Sequence, residues 1–143
     1  MKIHQVSVFL ENKKGRLAEV TRLLKDEGIN IRAMSLADMP DLGVLRLIVD
    51  DRARCVRVLK AQDFAVREAD VIAVEIEDRP GGLHQIIEVF DRESLNIEYM
   101  YTFFRKDSGS AIVVLKIDDA ARAVETLQRN GISVLPEDAI QNL

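Results

Sequence analysis

The sequence predicts an α+β protein in which two copies of one βαββαβ unit follow each other and pack as a pseudo-dimer. Three observations predict this fold: the chain repeats itself, apolar residues alternate at corresponding places, and helical spacings of three and four residues follow each alternation. The 143 residues are 48% hydrophobic and 31% charged, a composition typical of a folded globular protein. We expect the first unit to cover residues 1–70 and the second to cover residues 71–143.

The internal repeat consists of identical residues at a constant spacing. At an offset of 66, Gly15 corresponds to Gly81 and the Asn30-Ile31 pair to Asn96-Ile97, and residues 5–35 contain 8 identities in 31 positions. Two extra residues in a loop of the second copy then raise the offset to 68. The identities after the loop pair Leu47, Asp50, Asp51, Ala53, Arg54, Val56, Leu59 and Val66 with Leu115, Asp118, Asp119, Ala121, Arg122, Val124, Leu127 and Val134.

The first half of each copy is predicted to contain a strand, a helix and a second strand. Apolar residues at every second position from Val6 to Leu10, and again from Ile72 to Ile76, indicate half-buried strands. The spacing that follows predicts an amphipathic helix, which in the first copy should end near Gly28. Asn30-Ile31 and Asn96-Ile97 then open the second strands. The predicted helix faces are Leu17, Val20 and Leu24 in the first copy and Leu83, Ile86, Ile87 and Phe90 in the second.

The second half of each copy is predicted to contain a strand, a helix and a short last strand. The strands are expected at residues 43–49 and 64–66 and, in the second copy, at residues 111–117 and 132–135. Asp50 and Asp118 are expected to cap the helices between them. The apolar faces of these helices are predicted to be Ala53, Val56 and Leu59, and Ala121, Val124 and Leu127. The order βαββαβ is that of the ferredoxin-like unit, and because so small a unit buries little core, pairing should stabilise both copies.

Composition excludes several classes of function. The one cysteine, Cys55, cannot form an intrachain disulfide, and with two histidines in the chain we expect no metal site and no cofactor. A net charge of −4 argues against nucleic-acid binding. The longest apolar runs, such as Ala111–Leu115, are too short to cross a membrane, and the first five residues lack a signal stretch. We therefore expect a cytoplasmic protein.

The turn after the first strand of each copy has the chemistry of a small-anion and ammonium site. Gly15 and Gly81 permit a close backbone approach, and free N–H groups at the start of a helix favour an anion such as a carboxylate. Asp78 or Asn12 before the turn can accept a hydrogen bond from an ammonium group. Each of these residues also has a structural interpretation as a cap, a turn or a local backbone partner, and the sequence leaves both interpretations open.

The same segments resemble a known family. The second copy reads Glu77-Asp78-Arg79-Pro80-Gly81-Gly82-Leu83 and later Leu95-Asn96-Ile97, which is similar to the D-x-P-G-x-L and G-x-N-I motifs of the ACT domain. The first copy departs from this pattern, because Asn12 replaces the aspartate and Lys14 replaces the proline. The resemblance covers nearly the whole chain. It implies these ligand-binding residues: Asn12, Gly15, Arg16, Leu17, Asn30, Ile31, Asp78, Pro80, Gly81, Gly82, Leu83, Asn96 and Ile97.

The resemblance implies a small, non-catalytic regulatory protein. Its ligand would be an amino acid or a similar metabolite held where the two units meet, and the chain would form a homo-oligomer, a dimer in the simplest case. Two other functions stay open at this point. One is an adaptor protein whose ACT sites are empty, and the other is a small enzyme of unrecognised type.

Overall fold

The computed structural model describes residues 1–105 and 108–143, and its elements follow the predicted order. The first copy consists of β1 (Ile3–Glu11), α1 (Arg16–Asp26), β2 (Ile31–Asp38), β3 (Leu42–Val49), α2 (Arg52–Ala61) and β4 (Ala65–Glu77). The second copy shares β4 and continues with α3 (Gly82–Arg92), β5 (Ile97–Phe104), β6 (Ser110–Ile117), α4 (Ala120–Arg129) and α5 (Glu137–Gln141). The fold is α+β, with two ferredoxin-like units in tandem.

Two compact units make up the chain. The first unit comprises His4–Ala69, and the second comprises Met1–Ile3 together with Asp70–Leu143. In the first unit, β1 and β2 both pair antiparallel with β3, and β4 lies next to β1. In the second unit, β4 and β5 both pair antiparallel with β6. Strands β2 and β5 are therefore the corresponding edge strands of the two units.

The last strand of each unit differs from the prediction. The first unit was expected to have a strand at residues 64–66, but the strand begins at Ala65 and continues as the long β4. In the second unit the expected strand is reduced to one antiparallel bridge between Val74 and Val134, with Leu135 donating its N–H to the Ala73 carbonyl at 2.8 Å. Pro136 follows and has no N–H to donate, which explains why the pairing stops there.

One face of each sheet packs against two helices and forms a core. The first core joins β1 and β3 to α1 and α2, and the second joins β4 and β6 to α3 and α4. The predicted face of the second helix in each unit is confirmed at Val56 and Leu59 and at Val124 and Leu127, which pack in the cores. It was wrong at Ala53 and Ala121, which are exposed, while Cys55 and Ala123 are buried. Leu17 and Leu83, predicted to face the core, are instead each 36% exposed. Their position matters for the site described below.

Two consecutive aspartates have different partners at the start of the second helix of each unit. The prediction that Asp50 and Asp118 cap the helix was wrong by one residue. Asp51 is the N-cap of α2 and accepts from the Arg54 N–H at 3.1 Å, and Asp119 caps α4 in the same way. Asp50 instead accepts the backbone N–H of Asn30 at 2.9 Å, so it holds the connection that leads into β2.

The cap of α2 can be tested by a matched pair of substitutions. We expect Asp51→Ala to lower the free energy of unfolding by about 1 kcal/mol, because the N–H group of Arg54 loses its acceptor. Asp51→Asn should retain most of the stability, since asparagine is an equally good N-cap. Urea denaturation measures both. An equal loss in the two variants would show that the carboxylate charge at the helix start, rather than the hydrogen bond, carries the effect.

Candidate functional site

The strand-to-helix turns are built around glycine in a left-handed backbone conformation. Gly15 has φ 89° and is the N-cap of α1, and Gly81 has φ 86° and is the N-cap of α3. Neither helix start receives a side-chain cap hydrogen bond. The interpretation of Asp78 as a helix cap is therefore wrong, because the cap position belongs to Gly81. The N–H of the first helical residue, Arg16 or Gly82, is bonded within the turn, so the donors that remain are the N–H groups of the next residues of each helix.

The two turns close to different degrees. In the second unit Gly82 donates its N–H to the Arg79 carbonyl at 3.0 Å, and a Cβ atom at position 82 would overlap the Glu77 carbonyl oxygen. In the first unit Arg16 occupies the corresponding position, and its N–H lies 3.4 Å from the Lys13 carbonyl. The first turn is therefore more open, since it must accommodate a Cβ atom where the second turn has none.

Each turn borders a cleft on the side of the edge strand, which we call the outer cleft. The outer cleft of the first unit has a volume of about 270 Å³, and that of the second about 200 Å³. The first is lined by Leu10, Glu11, Asn12, Lys13, Arg16, Leu17, Leu36, Ala37, Asp38, Leu42 and Gly43. The second is lined by Ile76, Glu77, Asp78, Arg79, Leu83, Thr102, Phe104 and Ala111. Every residue of the second list has its repeat counterpart in the first, so the two clefts are equivalent.

The outer clefts contain some of the predicted site residues. Asn12, Arg16 and Leu17 line the first, and Asp78 and Leu83 line the second. The exposure of both leucines, which contradicted the helix-face prediction, is explained by their place in the cleft walls. The other turn residues, Gly15, Pro80 and Gly81, form the backbone beside the clefts.

The asparagines lie elsewhere in their own units. Asn30 precedes the start of β2, whereas the first outer cleft contacts the end of that strand at Leu36. Six residues of strand separate the two positions by about 20 Å. Asn96 has the same relation to Thr102 in the second unit, and Ile31 and Ile97 pack against the cores. Within a unit the asparagines and the outer cleft are thus separate, and a ligand to which both units contribute stays a prediction.

Several lining residues were not predicted from the sequence. Leu36 is 52% exposed and Phe104 is 68% exposed, and both extend from edge strands towards the clefts. Both lie on the helix-covered face of the sheet, as do their β-sheet partners Leu45 and Ala111. The one signal that points to a cleft is a large apolar residue at the end of an edge strand, where no helix covers it.

The first turn carries a small ion-pair network centred on Glu11. Its carboxylate contacts Lys13 at 2.7 Å and Arg16 at 3.2 Å, and Arg16 also binds Glu19 at 3.0 Å. Hydrogen bonds from Lys13 and then Arg16 hold the pKa of Glu11 below its usual value. The hydrogen bonds to Glu19 and Glu11 raise the pKa of Arg16. The Arg16 guanidinium lies over the Phe64 ring, 5.9 Å from its centroid.

A second pair of clefts lies on the other side of each turn, and we call these the inner clefts. The inner cleft of the first unit has a volume of about 370 Å³ and is lined by Phe9, Leu10, Glu11, Arg16, Leu42, Gln62, Asp63, Phe64 and Ala65. That of the second unit, about 410 Å³, is lined by Glu75, Ile76, Glu77, Gly82, Gln85, Ile86, Ser110, Gly131, Ile132 and Ser133. Glu75 accepts from Ser110 at 2.7 Å and from Arg105 at 3.0 Å.

Cys55 is placed as a packing residue and not as a nucleophile. It is fully buried in the first core, and burial, assisted by the charge of Asp51, raises its pKa to about 11. At neutral pH such a thiol carries almost no thiolate, the reactive form. Among residues 1–105 and 108–143, no group of three or more His, Cys, Asp or Glu side chains is arranged to hold a metal ion. No helix in this described part is long and apolar enough to span a membrane.

Comparison with known proteins places these features in context. A family model described as an ACT domain pair matches residues 1–143. The crystal structure of protein BT0572 from Bacteroides thetaiotaomicron is 36% identical, with a TM-score of 0.93 over 100% of this chain and 98% of that one. No curated protein matches the chain in sequence.

More distant structures share the fold alone. The regulatory subunit of aspartate kinase from Thermus flavus is 15% identical, with a TM-score of 0.63 over 90% of this chain and 93% of that one. The corresponding subunit from Thermus thermophilus, in its ligand-free form, is 14% identical, with a TM-score of 0.62 over 88% of this chain and 90% of that one.

Three glycine substitutions test the geometry of the second turn. Gly81→Ala should cost roughly 1–2 kcal/mol of stability, because alanine at φ 86° is strained although nothing lies within 4 Å of the new Cβ. Gly82→Ala should cost more, since the turn must open to relieve the overlap with the Glu77 carbonyl oxygen. Gly43→Ala is the control, because its new Cβ makes only ordinary contacts at 3.6 Å or more. Chemical denaturation ranks the three, and a Gly82→Ala protein as stable as Gly43→Ala would contradict the tight turn.

The environment of Cys55 predicts a slow reaction with thiol reagents. We expect native protein at pH 7 to react with a disulfide reagent far more slowly than protein unfolded in denaturant, because the thiol is buried and its pKa is about 11. The native rate should rise as the pH increases towards that value. Absorbance of the released thiolate follows the reaction. A native rate close to the unfolded rate would show that the side chain is accessible.

Proposed function

The chain belongs to the ACT domain pair family, whose model spans all 143 residues, and from this membership we propose that it is a non-catalytic regulatory protein that binds an amino acid or a similar small metabolite. The observation that carries the proposal is the pair of equivalent outer clefts beside the two glycine turns. Each cleft is about the size of a single amino acid and lies beside a turn with free backbone donors. Both features suit such a ligand.

The lining of the outer clefts suits an amphoteric ligand with an apolar body. Leu10, Leu17, Leu36 and Leu42 give the first cleft its apolar walls, and Asn12 adds a side chain that both donates and accepts. Concave, mostly apolar sites with a few polar groups are typical of small-molecule binding. The helix start beside the cleft favours a carboxylate, and the polar residue before the turn suits an ammonium group.

The two clefts differ in the groups that face a ligand. In the second unit Asp78 supplies a carboxylate where the first unit has the neutral amide of Asn12. Pro80 restricts the second turn, and Gly82 lets it close more tightly. We infer that the second outer cleft holds an ammonium group more firmly than the first. The first cleft, bordered by Lys13 and Arg16, suits a ligand with more anionic character.

The edge strands support the proposal of a homo-oligomer. Strand β2 pairs with β3 along one side only, so its other side offers unpaired backbone N–H and C=O groups. Met34 and Leu36 of this strand are 46% and 52% exposed. We propose that a second copy of the chain covers this edge. A ligand bound beside it would then influence assembly, which is a route from binding to regulation.

The buried state of Cys55 supports the non-catalytic part of the proposal, because it removes the one thiol of the chain from consideration as a nucleophile. The adaptor protein with empty sites is the main competing function. It differs in one measurable property, since it would bind no amino acid at all.

Ligand binding is tested by calorimetry and thermal unfolding with each of the twenty amino acids. The best ligand, at a hundredfold excess over its dissociation constant, should raise the free energy of unfolding by about 2.7 kcal/mol. Asp78→Ala and Asn12→Ala should each weaken binding, because each removes a polar group from an outer cleft. Absence of binding by every amino acid would favour the adaptor function.

Asn30→Ala distinguishes two modes of binding. If both units contribute to one ligand, as the sequence predicts, this variant should bind the ligand more weakly. Unchanged binding in Asn30→Ala, together with a loss in Asp78→Ala, would confine the ligand to the outer cleft of one unit. Calorimetry on the two variants under identical conditions makes the comparison.

A further inference from the structure

Strand β2 has an open edge, and the hairpin that follows it shows which residues face that edge. Met39 and Leu42 exchange two backbone hydrogen bonds, at 2.7 and 3.3 Å. Because bonded and non-bonded pairs alternate along an antiparallel ladder, Ala33 and every second residue after it direct their N–H and C=O groups towards β3. The residues between them direct theirs outwards, where the sheet ends. These are Met34, Leu36 and Asp38.

Apolar side chains occupy the middle of this edge, and opposite charges occupy its two ends. Met34 and Leu36 are both exposed, with Arg32 before them and Asp38 after them. Within residues 1–105 and 108–143, neither charged side chain has a hydrogen-bond or ion-pair partner, and the Nε atom of Arg32 is buried without one. Apolar side chains on an open strand edge favour pairing with another chain.

The sequence of β2 is complementary to itself when two copies run antiparallel about a twofold axis at Ser35. Residues at equal distances from the axis then lie opposite each other and on the same face of the sheet. The outward N–H and C=O groups on either side of the axis also meet, so the backbone bonds can form. The opposed pairs are Met34 with Leu36, Ala33 with Ala37 and Arg32 with Asp38.

Twofold axes at the neighbouring residues are less favourable. An axis at Met34 would place Arg32 opposite the partner's Leu36. An axis at Leu36 would place Asp38 opposite the partner's Met34. Each of these registers leaves the charges without an opposite charge across the interface. The pattern of side chains therefore selects the axis at Ser35.

The corresponding edge of the second unit lacks this complementarity. Glu98 of β5 stands at the position of Arg32 and already pairs with Lys116 at 3.8 Å. Phe104 stands at the position of Asp38. Pairing β2 with β5 of another copy over their full length would place Asp38 opposite Glu98, and like charges directly opposite each other are unfavourable. The charges thus favour pairing of β2 with itself.

We propose that two copies of the chain pair antiparallel through β2 about a twofold axis at Ser35, with Arg32 and Asp38 forming an ion pair at each end. Met34 exchanges backbone hydrogen bonds with the partner's Leu36. Asp38 lines the first outer cleft, so this pairing brings the partner's Arg32 to the rim of that cleft. The inference rests on the proposed second copy at this edge and does not depend on the amino-acid ligand.

Charge reversal tests the ion pair in sedimentation equilibrium of the full chain. Arg32→Asp and Asp38→Arg should each raise the dissociation constant of the dimer by about tenfold or more, because like charges then meet at both ends. The double variant should recover most of the wild-type affinity, since the pair is restored in the opposite sense. Glu98→Arg is the matched control at the same position of β5, and it should leave the dissociation constant unchanged.

The outcomes separate this inference from the broader proposal of a homo-oligomer. A monomeric wild type would contradict both. A dimer that both single reversals leave intact, or that a folded double variant fails to recover, would overturn the pair of Arg32 and Asp38 while the homo-oligomer stands. Weakening by Glu98→Arg alone would move the interface to β5 and overturn the inference. Calorimetry measures amino-acid binding separately, and its absence would leave the β2 interface standing.

Disulfide cross-linking tests the register independently of charge. Ser35→Cys should give a covalent dimer on oxidation with copper phenanthroline, because the Cα atoms of a non-bonded antiparallel pair lie about 4.5 Å apart. Met34→Cys and Leu36→Cys are the controls displaced from the axis and should cross-link far less. The native Cys55 is buried and should not compete. A covalent dimer in either control but not in Ser35→Cys would show a different register and overturn the inference.

Discussion

The strand-to-helix turn constrains the rest of each unit, because it closes only around a glycine with positive φ. Gly15 and Gly81 adopt almost the same angles, 89° and 86°, although the residues on both sides of them differ. This geometry fixes where the strand ends and where the helix begins. It therefore directs Leu17 and Leu83 to the outer clefts and Gly82 to the inner cleft of the second unit, while Arg16 contacts both clefts of the first unit. Both kinds of cleft in each unit border this turn.

Backbone conformation has been retained in the two units even where side chains have changed. Gly28, after α1, has φ 67°, and its counterpart Ser94 keeps a φ of 53° without being a glycine. The reverse exchange occurs after the second helix, where Asp63 has φ 63° and its counterpart Gly131 has φ 72°. Non-glycine residues in this region are uncommon and strained. The packing of helix against sheet thus determines the path of the chain more strongly than local preference does.

Sequence periodicity predicted the helices and strands well, but it predicted less well which of their residues are exposed. Alternation indicates which face of a strand a residue occupies, but it does not show whether a helix covers that part of the face, and the exposed Leu36 is an example. The same limit explains Leu17, which has the correct helical spacing but lies beyond the edge of the core. Two consecutive aspartates left the N-cap of the second helix ambiguous in the sequence. In the structure Asp50 accepts the N–H of Asn30, so the cap is the aspartate that follows it. In each of these examples, contacts between segments that are distant in the sequence determine the exposure or the partner of the residue.

The crowding at Gly82 has a consequence for how the two copies of this duplicated sequence can diverge. Position 16 can pass from arginine to glycine without a clash, because loss of a side chain always leaves room. The reverse step at position 82 costs stability, since the turn must open before a Cβ atom fits beside the carbonyl oxygen of Glu77. A single substitution at this turn is therefore easier in one direction than in the other, and the two halves are not interchangeable residue by residue.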